Sequence, residues 1–169
     1  AAAVREPSAG RDAEEALAVL GAAGDRKSVA AAHALLARVA TEAGRHAEAI
    51  RHLVNQRAAL GATASAFVVA MIEHMEGNCR VALFDFRGAL DLFESARSRY
   101  ASIGAELEAA EASYNIGYLQ LKAGRYADAL RAYARIAGVF ERSHVVSLTC
   151  ALAVDRAELL LEMGATAEA

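Results

Sequence analysis

Histidine and cysteine are the side chains in this sequence that could bind a metal ion or act as a nucleophile and its base. The chain contains five histidines and two cysteines: His33, His46, His52, His74, His144, Cys79 and Cys150. No two histidines lie four residues apart on either side of a glutamate, which is the spacing of a helical zinc site. His74 and Cys79 are five residues apart, which places them on different faces of a helix. We therefore predict no metal site, no cofactor and no catalytic site, and expect that the protein is not an enzyme.

The net charge of the chain is small and its charged residues are mixed. The 169 residues include 18 Lys and Arg and 21 Asp and Glu, which gives a net charge of −3. Arg80, Arg97 and Arg99 lie close together in the sequence, but Asp85 and Glu94 lie among them. This mixture is typical of a solvated helix surface and lacks the concentrated basic face of a nucleic-acid-binding protein. We expect no nucleic-acid partner.

Membrane association and secretion are not indicated by the sequence either. The longest apolar run, residues 64–72, is too short to cross a bilayer. The N-terminus lacks the basic and apolar segments of a secretory signal, and a chain that opens on alanine is expected to be a trimmed piece. Cys79 and Cys150 fall in predicted helices, where we expect buried, reduced thiols. We expect a cytoplasmic protein with no membrane partner.

A repeat of forty residues organises the chain. Gly44, Gly124 and Gly164 lie in copies of one short motif, and the alanines of that motif recur at intervals of forty residues: Ala49, Ala89, Ala129 and Ala169. A fixed period of this length is typical of stacked helical hairpins. A single proline, Pro7, leaves the helices unbroken.

Apolar residues three and four apart predict the helices that build these hairpins. First helices are expected at residues 27–43, 65–82, 106–123 and 145–163, second helices at 46–60, 86–101 and 126–141, and an earlier helix at 12–22. Asp12 and Asp25 are the expected N-caps. Gly24, Gly61 and Gly104 are expected to mark the turns between hairpins.

A single domain is expected, because no linker interrupts the repeats. Residues 1–10 are assigned to an N-terminal tail, disordered or trimmed, and residues 11–169 to one repeat domain whose last hairpin is incomplete. Within a hairpin, Gly117 is expected where the first helix approaches the second closely, opposite Ala129. In the incomplete hairpin three leucines are expected to face solvent unless further chain or a partner covers them: Leu152, Leu159 and Leu160.

One copy of the repeat carries a family resemblance. Residues 113–119 read Ser-Tyr-Asn-Ile-Gly-Tyr-Leu, residues 122–130 read Lys-Ala-Gly-Arg-Tyr-Ala-Asp-Ala-Leu, and Tyr133 follows. This copy resembles a tetratricopeptide repeat (TPR), whose pattern has an aromatic residue, Asn-Leu-Gly, Gly-x-Tyr-x-x-Ala and a later aromatic residue. The resemblance implies an all-α fold, a right-handed superhelical solenoid of antiparallel helix hairpins. Phe84 departs from the pattern, because it stands where the turn glycine is usual.

The resemblance also implies what the protein does. The forty-residue spacing resembles that of an extended subclass of these repeats, which is common in bacterial signalling proteins. The resemblance implies a non-enzymatic interaction module or scaffold that holds a peptide or partner domain in a concave groove. Residues 151–161 resemble repeats that precede a caspase-like CHAT protease domain, and also repeats of bacterial regulators built on nucleotide-switch ATPases. This second resemblance implies a regulatory or sensor segment of a larger enzyme, with the catalytic domain beyond Ala169. The open ends of such an array would also allow a homo-oligomer.

The first helices of such arrays line the groove, which implies nine partner-binding positions: Arg38, His74, Asn78, Tyr114, Asn115, Tyr118, Lys122, Asp155 and Glu158. Asparagine can bond a peptide backbone as donor and acceptor, and tyrosine provides rigid contact area at low entropic cost. As an alternative, Tyr118 and Asn115 pack against the neighbouring hairpin. Because Glu111, Asp155 and Glu158 would make the groove partly acidic, a basic or neutral partner segment is favoured.

Overall fold

The computed structural model describes residues 6–164, with side chains from residue 11 onward, and the regular elements of this part of the chain are all helical. Eight α-helices follow one another: α1 (Glu6–Ala23), α2 (Arg26–Glu42), α3 (His46–Leu60), α4 (Ala66–Ala82), α5 (Phe86–Ser102), α6 (Glu106–Lys122), α7 (Tyr126–Arg142) and α8 (Val146–Glu162). A short 3₁₀ turn, Gly61–Thr63, lies between α3 and α4. Helices α2 to α8 each lie within one residue of their predicted limits.

Helix α1 begins earlier than the sequence indicated. Its first residue is Glu6, so residues 6–10 are helical, although they were assigned to the tail; residues 1–5 lie outside the described part of the chain. The predicted N-cap at Asp12 is wrong, because Asp12 lies inside α1. Pro7 does not prevent this, since proline is tolerated in the first turn, where its missing N–H has no helical partner. The predicted N-cap at Asp25 is confirmed: its carboxylate accepts a hydrogen bond from the Ser28 amide at 3.2 Å.

The turns between helices recur about every twenty residues, two to each forty-residue repeat. Five glycines have φ between +70° and +74°: Gly24, Gly44, Gly104, Gly124 and Gly164. Two other residues take the same left-handed conformation at the same spacing, Phe84 with φ +61° and His144 with φ +54°. The bend at Phe84 is therefore kept without glycine, although a side chain there costs about 1–2 kcal/mol. The turn after α3 is the exception, because there Gly61 leads into the 3₁₀ turn.

The chain groups into two compact units, one up to Ala89 and one from Leu90, with the boundary inside α5. A single domain over residues 11–169 stays a prediction. In the first unit small and large side chains from α2, α3 and α4 pack in two clusters: Ala37 with Leu53 and Ile72, and Ala40 with Ala49 and Cys79. Glu76, which stands where the family has leucine, is buried and bonds Arg80 at 2.7 Å.

The two cysteines differ in their surroundings. Cys79 is buried and free, with its Sγ 3.7 Å from the Thr41 hydroxyl. Cys150 is also free but exposed. The prediction of two buried thiols is therefore wrong for Cys150, because it lies on the side of α8 that faces away from Leu152 and Leu159.

The core of the second unit lies between α6, α7 and α8. Gly117 makes the predicted close contact: a Cβ at this position would lie 2.5 Å from Cε1 of Tyr133, whose side chain is fully buried, as is Ala129. Leu152 (4% exposed) and Leu159 (0%) belong to the same cluster. Their predicted exposure is wrong, because α6 and α7 already cover that side of α8.

The opposite side of α8 is apolar and exposed. Leu160 is 41% exposed, as predicted for this residue, and three further side chains are more exposed still: Val146 (72%), Val154 (65%) and Leu161 (63%). These residues recur along α8 at spacings that place them near one side of the helix. Within residues 146–162, α8 therefore has an exposed apolar surface, which includes only Leu160 of the three leucines predicted to face solvent.

Candidate functional site

Five of the nine predicted binding residues come together on α6 and α8 of the second unit. We call this group the α6–α8 face: Tyr114, Tyr118 and Lys122 of α6 with Asp155 and Glu158 of α8. The three residues of α6 are four residues apart, and the two of α8 are three apart, so each set lies along one side of its helix. The family resemblance assigned all five positions to a ligand groove, and that assignment stays a prediction.

Tyr114 and Asp155 form the inner part of the α6–α8 face. The Tyr114 hydroxyl donates a hydrogen bond to Asp155 Oδ2 at 2.7 Å, and the Tyr133 hydroxyl of α7 donates to the same oxygen at 3.2 Å. The Tyr114 and Tyr133 rings stack with centroids 5.7 Å apart. Burial, followed by the bond to Asp155 and its charge, raises the pKa of Tyr114. Burial, and then the Asp155 charge, also raises the pKa of Tyr133, so both hydroxyls stay protonated donors.

Tyr118, Lys122 and Glu158 form the outer part of the same face. The Lys122 ammonium lies 5.2 Å from the centroid of the Tyr118 ring, a cation–π distance, and 3.4 Å from Glu158 Oε1. The side chains of Lys122 and Glu158 are 40% and 47% exposed, and Tyr118 is half-buried. These three residues can therefore reach a ligand while Tyr114 and Asp155 hold the helices together.

The charge of the face is predominantly negative. Glu108 and Glu111 of α6 follow the same side of that helix as Tyr118, and Asp155 and Glu158 add two carboxylates from α8. Burial raises the pKa of Glu111, with a smaller contribution from the charge of Glu108. Because Lys122 is paired with Glu158, the face has more carboxylates than its cation can neutralise.

Three of the four remaining predicted site residues lie in the first unit, whereas Asn115 lies on α6 next to Tyr114. Asn115 is half-buried on α6. Arg38 and Asn78 are exposed in the first unit, where Arg38 lies 3.8 Å from Glu42 one turn later in α2. His74 is partly buried, and burial lowers its pKa to about 4, so it is neutral near pH 7 and supplies no charge to a ligand.

Two features of the described structure were not predicted from the sequence. Tyr133 completes the hydrogen bonds at Asp155 from α7, a helix that the groove prediction did not include. In the first unit His33 of α2 and His52 of α3 bring their Nδ1 atoms to 3.1 Å. Spacing within one helix cannot reveal such pairs, because they join different helices.

Within residues 6–164 there is neither a cluster of metal-ligating side chains nor a membrane-spanning helix. In this range no three His, Cys, Asp or Glu side chains are placed to hold one metal ion. No helix of this range combines the length and the apolar character that crossing a bilayer requires.

Comparisons with known proteins give the fold. No family model matches the chain, and no curated protein matches it. Two solved structures cover nearly all of it: the TPR-like repeats of a kinesin light chain from Podosopora anserina (TM-score 0.76, 15% identity, 97% of this chain and 81% of that one) and BtubC (BKLC) from P. vanneervenii (TM-score 0.74, 15% identity, 96% and 67%).

A Rap protein complexed with competence and sporulation factor is also similar, with a TM-score of 0.67 and 17% identity over 95% of this chain. The chain spans 55% of the length of that Rap protein. At these identities the likeness concerns the fold alone. The chain has the fold of the TPR-like helical repeat proteins, an all-α solenoid of antiparallel hairpins, as the sequence predicted.

Proposed function

We propose that this protein is a non-enzymatic interaction module that binds a basic or neutral peptide segment on the α6–α8 face. The observation that supports this proposal is the division of that face into a hydrogen-bonded, half-buried inner part, Tyr114 with Asp155, and an outer part in which Lys122 and Glu158 are exposed beside the half-buried Tyr118. The inner hydrogen bonds fix the positions of α6 and α8 before a ligand arrives. A preorganised site loses less conformational freedom on binding.

The outer residues have suitable chemistry for a peptide. Tyr118 offers an aromatic surface that loses little entropy on contact. Glu158 and Glu111 attract lysine and arginine side chains, whereas an acidic segment would be repelled. Lys122 limits the negative charge of the face, because its ammonium group lies beside the Glu158 carboxylate and the Tyr118 ring.

The fold comparison is compatible with a protein or peptide partner. The similar Rap protein was solved in complex with competence and sporulation factor, so at least one protein of this fold holds a partner. The identity of 17% does not transfer that partner to this chain. The similarity in fold supports only the class of function, which is a helical repeat that binds another molecule.

Fluorescence anisotropy tests the proposal with three labelled pools of random-sequence peptides, one rich in lysine and arginine, one uncharged and one rich in aspartate and glutamate. We expect the basic pool to bind best and Tyr118→Ala to weaken its binding about tenfold, the effect of losing an aromatic anchor. Asn115→Ala combined with Tyr118→Ala should weaken it further. An unchanged affinity in the double variant would contradict the site, provided that circular dichroism shows an intact fold.

Two charge variants make the test sharper. Lys122→Gln removes the one cation of the α6–α8 face and should strengthen binding of the basic pool about twofold to threefold, whereas Glu158→Gln should weaken it by a similar factor. Glu141→Gln, on the exposed side of α7, is the matched control and should have no effect. Equal effects of Glu158→Gln and Glu141→Gln would contradict a local charge effect.

As a second candidate function, this chain regulates a larger bacterial enzyme of which it is a segment. The resemblance to repeats that precede CHAT protease domains implies this function. The observation that favours it is the exposed apolar side of α8, with Val146, Val154 and Leu161 each more than 60% exposed. Such a surface is suited to packing against further protein. Reading the gene beyond Ala169 tests this function, and a stop codon within one or two helices would contradict it.

A further inference from the structure

A cavity of about 190 Å³ lies between α5, α6 and α7 of the second unit. Its main lining residues are Arg97 of α5, Ser113, Ile116 and Gln120 of α6, and Arg135 and Ile136 of α7. On α6 the residues that line the cavity lie about half a turn around the helix from Tyr114, Tyr118 and Lys122, because a helix has 3.6 residues per turn. The cavity is therefore separate from the α6–α8 face.

The charge of this cavity is positive and uncompensated. Arg97 and Arg135 both line it, and no aspartate or glutamate does. Within residues 11–164 neither guanidinium group takes part in an ion pair or hydrogen bond. By contrast, Arg131, one turn earlier in α7, is paired with Asp128, and Arg142 lies 2.8 Å from Glu106. Two arginines without counter-ions thus face one cavity in a protein of net charge −3.

Gln120, which lines the cavity, has a buried amide oxygen that lacks a donor. Gln120 Oε1 is removed from solvent and has no hydrogen-bond partner among the described residues. Buried polar atoms are nearly always paired, so a ligand that offers an N–H at this point would satisfy an existing need. Ser113 does not supply it, because its hydroxyl donates to the Ala109 carbonyl at 2.8 Å within α6.

The remaining wall of the cavity is apolar. Ile116 and Ile136 are 4% and 5% exposed, and their side chains offer contact to aliphatic carbon. The cavity thus combines two guanidinium groups, one unpaired acceptor and a small apolar surface. A bare inorganic anion does not match all three, because it has no methylene groups to contact the apolar wall.

We propose that this cavity binds a glutamate residue of an acidic peptide segment. Arg97 and Arg135 bond the side-chain carboxylate, for which the planar guanidinium group is well shaped. The Gln120 side chain turns so that its Oε1 accepts the backbone N–H of the bound residue, and Ile116 and Ile136 contact its methylene groups. This site is independent of the α6–α8 face and selects the opposite charge.

Nuclear magnetic resonance titration of the ¹⁵N-labelled protein tests the proposal with three small probes: N-acetyl-glutamate N-methylamide, its uncharged glutamine counterpart, and inorganic phosphate. We expect the glutamate probe to shift the signals of Gln120 and of the two arginine side chains, and to bind more tightly than either other probe. Raising the salt concentration should weaken its binding, since the arginines are exposed. Equal binding of phosphate and the glutamate probe, or no shift at Gln120, would overturn the proposal.

Variants separate this site from its surroundings. Arg97→Gln and Arg135→Gln should each weaken binding of the glutamate probe about tenfold, the effect of losing a charged hydrogen bond. Arg131→Gln is the matched control on α7 and should leave binding unchanged, as should Tyr118→Ala on the opposite side of α6. Loss of binding in either control to the same extent as in Arg97→Gln would overturn the proposal.

A second variant does not depend on removing the arginines. Gln120→Glu places a carboxylate inside the cavity, where it can pair with Arg97 or Arg135 and occupy the site from within the chain. We expect this variant to keep its thermal melting temperature and to lose affinity for the glutamate probe. Unchanged affinity in the folded variant would contradict the assignment of the cavity.

Discussion

The hydroxyl of Tyr114 lies 2.7 Å from Oδ2 of Asp155, forty-one residues later in the chain, and it joins α6 to α8. Both residues occupy positions that the family resemblance assigns to a ligand groove. In this protein they bond each other, and Tyr133 of α7 bonds the same carboxylate. One acidic side chain thus connects three helices of the second unit.

Replacing Asp155 should therefore destabilise the protein even though the residue lies in a predicted binding face. Asp155→Ala leaves the Tyr114 and Tyr133 hydroxyls without their acceptor, and we expect the free energy of unfolding to fall by about 1–3 kcal/mol. Urea denaturation measures this change. Tyr133→Phe removes only the longer of the two bonds and should cost about 0.5–1.5 kcal/mol. An Asp155→Ala variant as stable as the wild type would contradict the structural role.

A pair of glycine substitutions tests the close contact between α6 and α7. At Gly117 a new Cβ would meet the Tyr133 ring at 2.5 Å, so Gly117→Ala should destabilise by about 1–3 kcal/mol although alanine favours helix. At Gly138 the nearest atom is the flexible end of Arg142 at 3.3 Å, so Gly138→Ala should stabilise by up to about 1 kcal/mol. Thermal melting compares the two, and a change of the same sign in both would be inconsistent with the packing described.

The same contact can be overfilled from the α7 side. Ala129 is fully buried, and Ala129→Phe should lower the stability by about 1–3 kcal/mol because a large ring cannot fit between packed helices. Circular dichroism at rising temperature measures the loss. Ala127→Phe, two residues earlier on the exposed side of α7, is the matched control and should change stability little. If Ala129→Phe melts like the control, the close packing at Ala129 is refuted.

The turn at Phe84 predicts a stabilising substitution. Phe84 is 80% exposed and has φ +61°, a conformation that glycine adopts without the steric cost of a side chain. Phe84→Gly should raise the free energy of unfolding by less than about 1 kcal/mol, since part of the gain is offset by the greater freedom of glycine in the unfolded chain. Gly124→Ala makes the reverse change at an equivalent turn and should destabilise. Chemical denaturation measures the free energy of unfolding of both variants. A Phe84→Gly variant less stable than the wild type would contradict backbone strain at Phe84.

Stability should fall as the pH is lowered from 7 to 5, in part through His74. Burial lowers its pKa to about 4 in the folded protein, against 6.5 in the unfolded chain. The unfolded chain binds the proton first, so the contribution of His74 is complete above pH 6.5 and is lost as the pH falls toward 4. The expected loss between pH 7 and pH 5 is about 2 kcal/mol.

Urea denaturation at the two pH values, with His74→Gln for comparison, measures this contribution. The pKa values of His33 and His52 are also lowered, mainly by burial, so the variant should keep part of the dependence. A variant whose stability changes with pH as steeply as that of the wild type would show that His74 is not responsible.

The sequence predicted the helices because their limits depend on local features. Apolar spacing and the turn glycines locate α2 to α8, and those glycines mark left-handed turns that the backbone makes every twenty residues. Phe84 and His144 hide this shorter period, since they adopt the same conformation without being glycine. The forty-residue repeat of the sequence therefore corresponds to one hairpin, which contains two helices and two turns.

The details of the site depended on contacts between helices, which the sequence did not reveal. The family resemblance assigned Tyr114, Tyr118 and Lys122 of α6 and Asp155 of α8 to one ligand groove. The packing of α6 against α7 and α8 decides whether the Tyr114 hydroxyl is free for a ligand or bonds Asp155. The same depth of packing explains why Leu152 is buried and Cys150 is exposed, since two residues of one helix can face opposite directions.

The most direct test of the proposed function is to map where a basic peptide binds. Titration of the ¹⁵N-labelled protein with a short lysine- and arginine-rich peptide, followed by nuclear magnetic resonance, reports the location residue by residue. We expect the signals of Tyr118, Lys122 and Glu158 to shift together and those of Arg97 and Arg135 to stay unchanged. Shifts confined to other residues, or no binding at millimolar peptide, would contradict the α6–α8 face as the binding site.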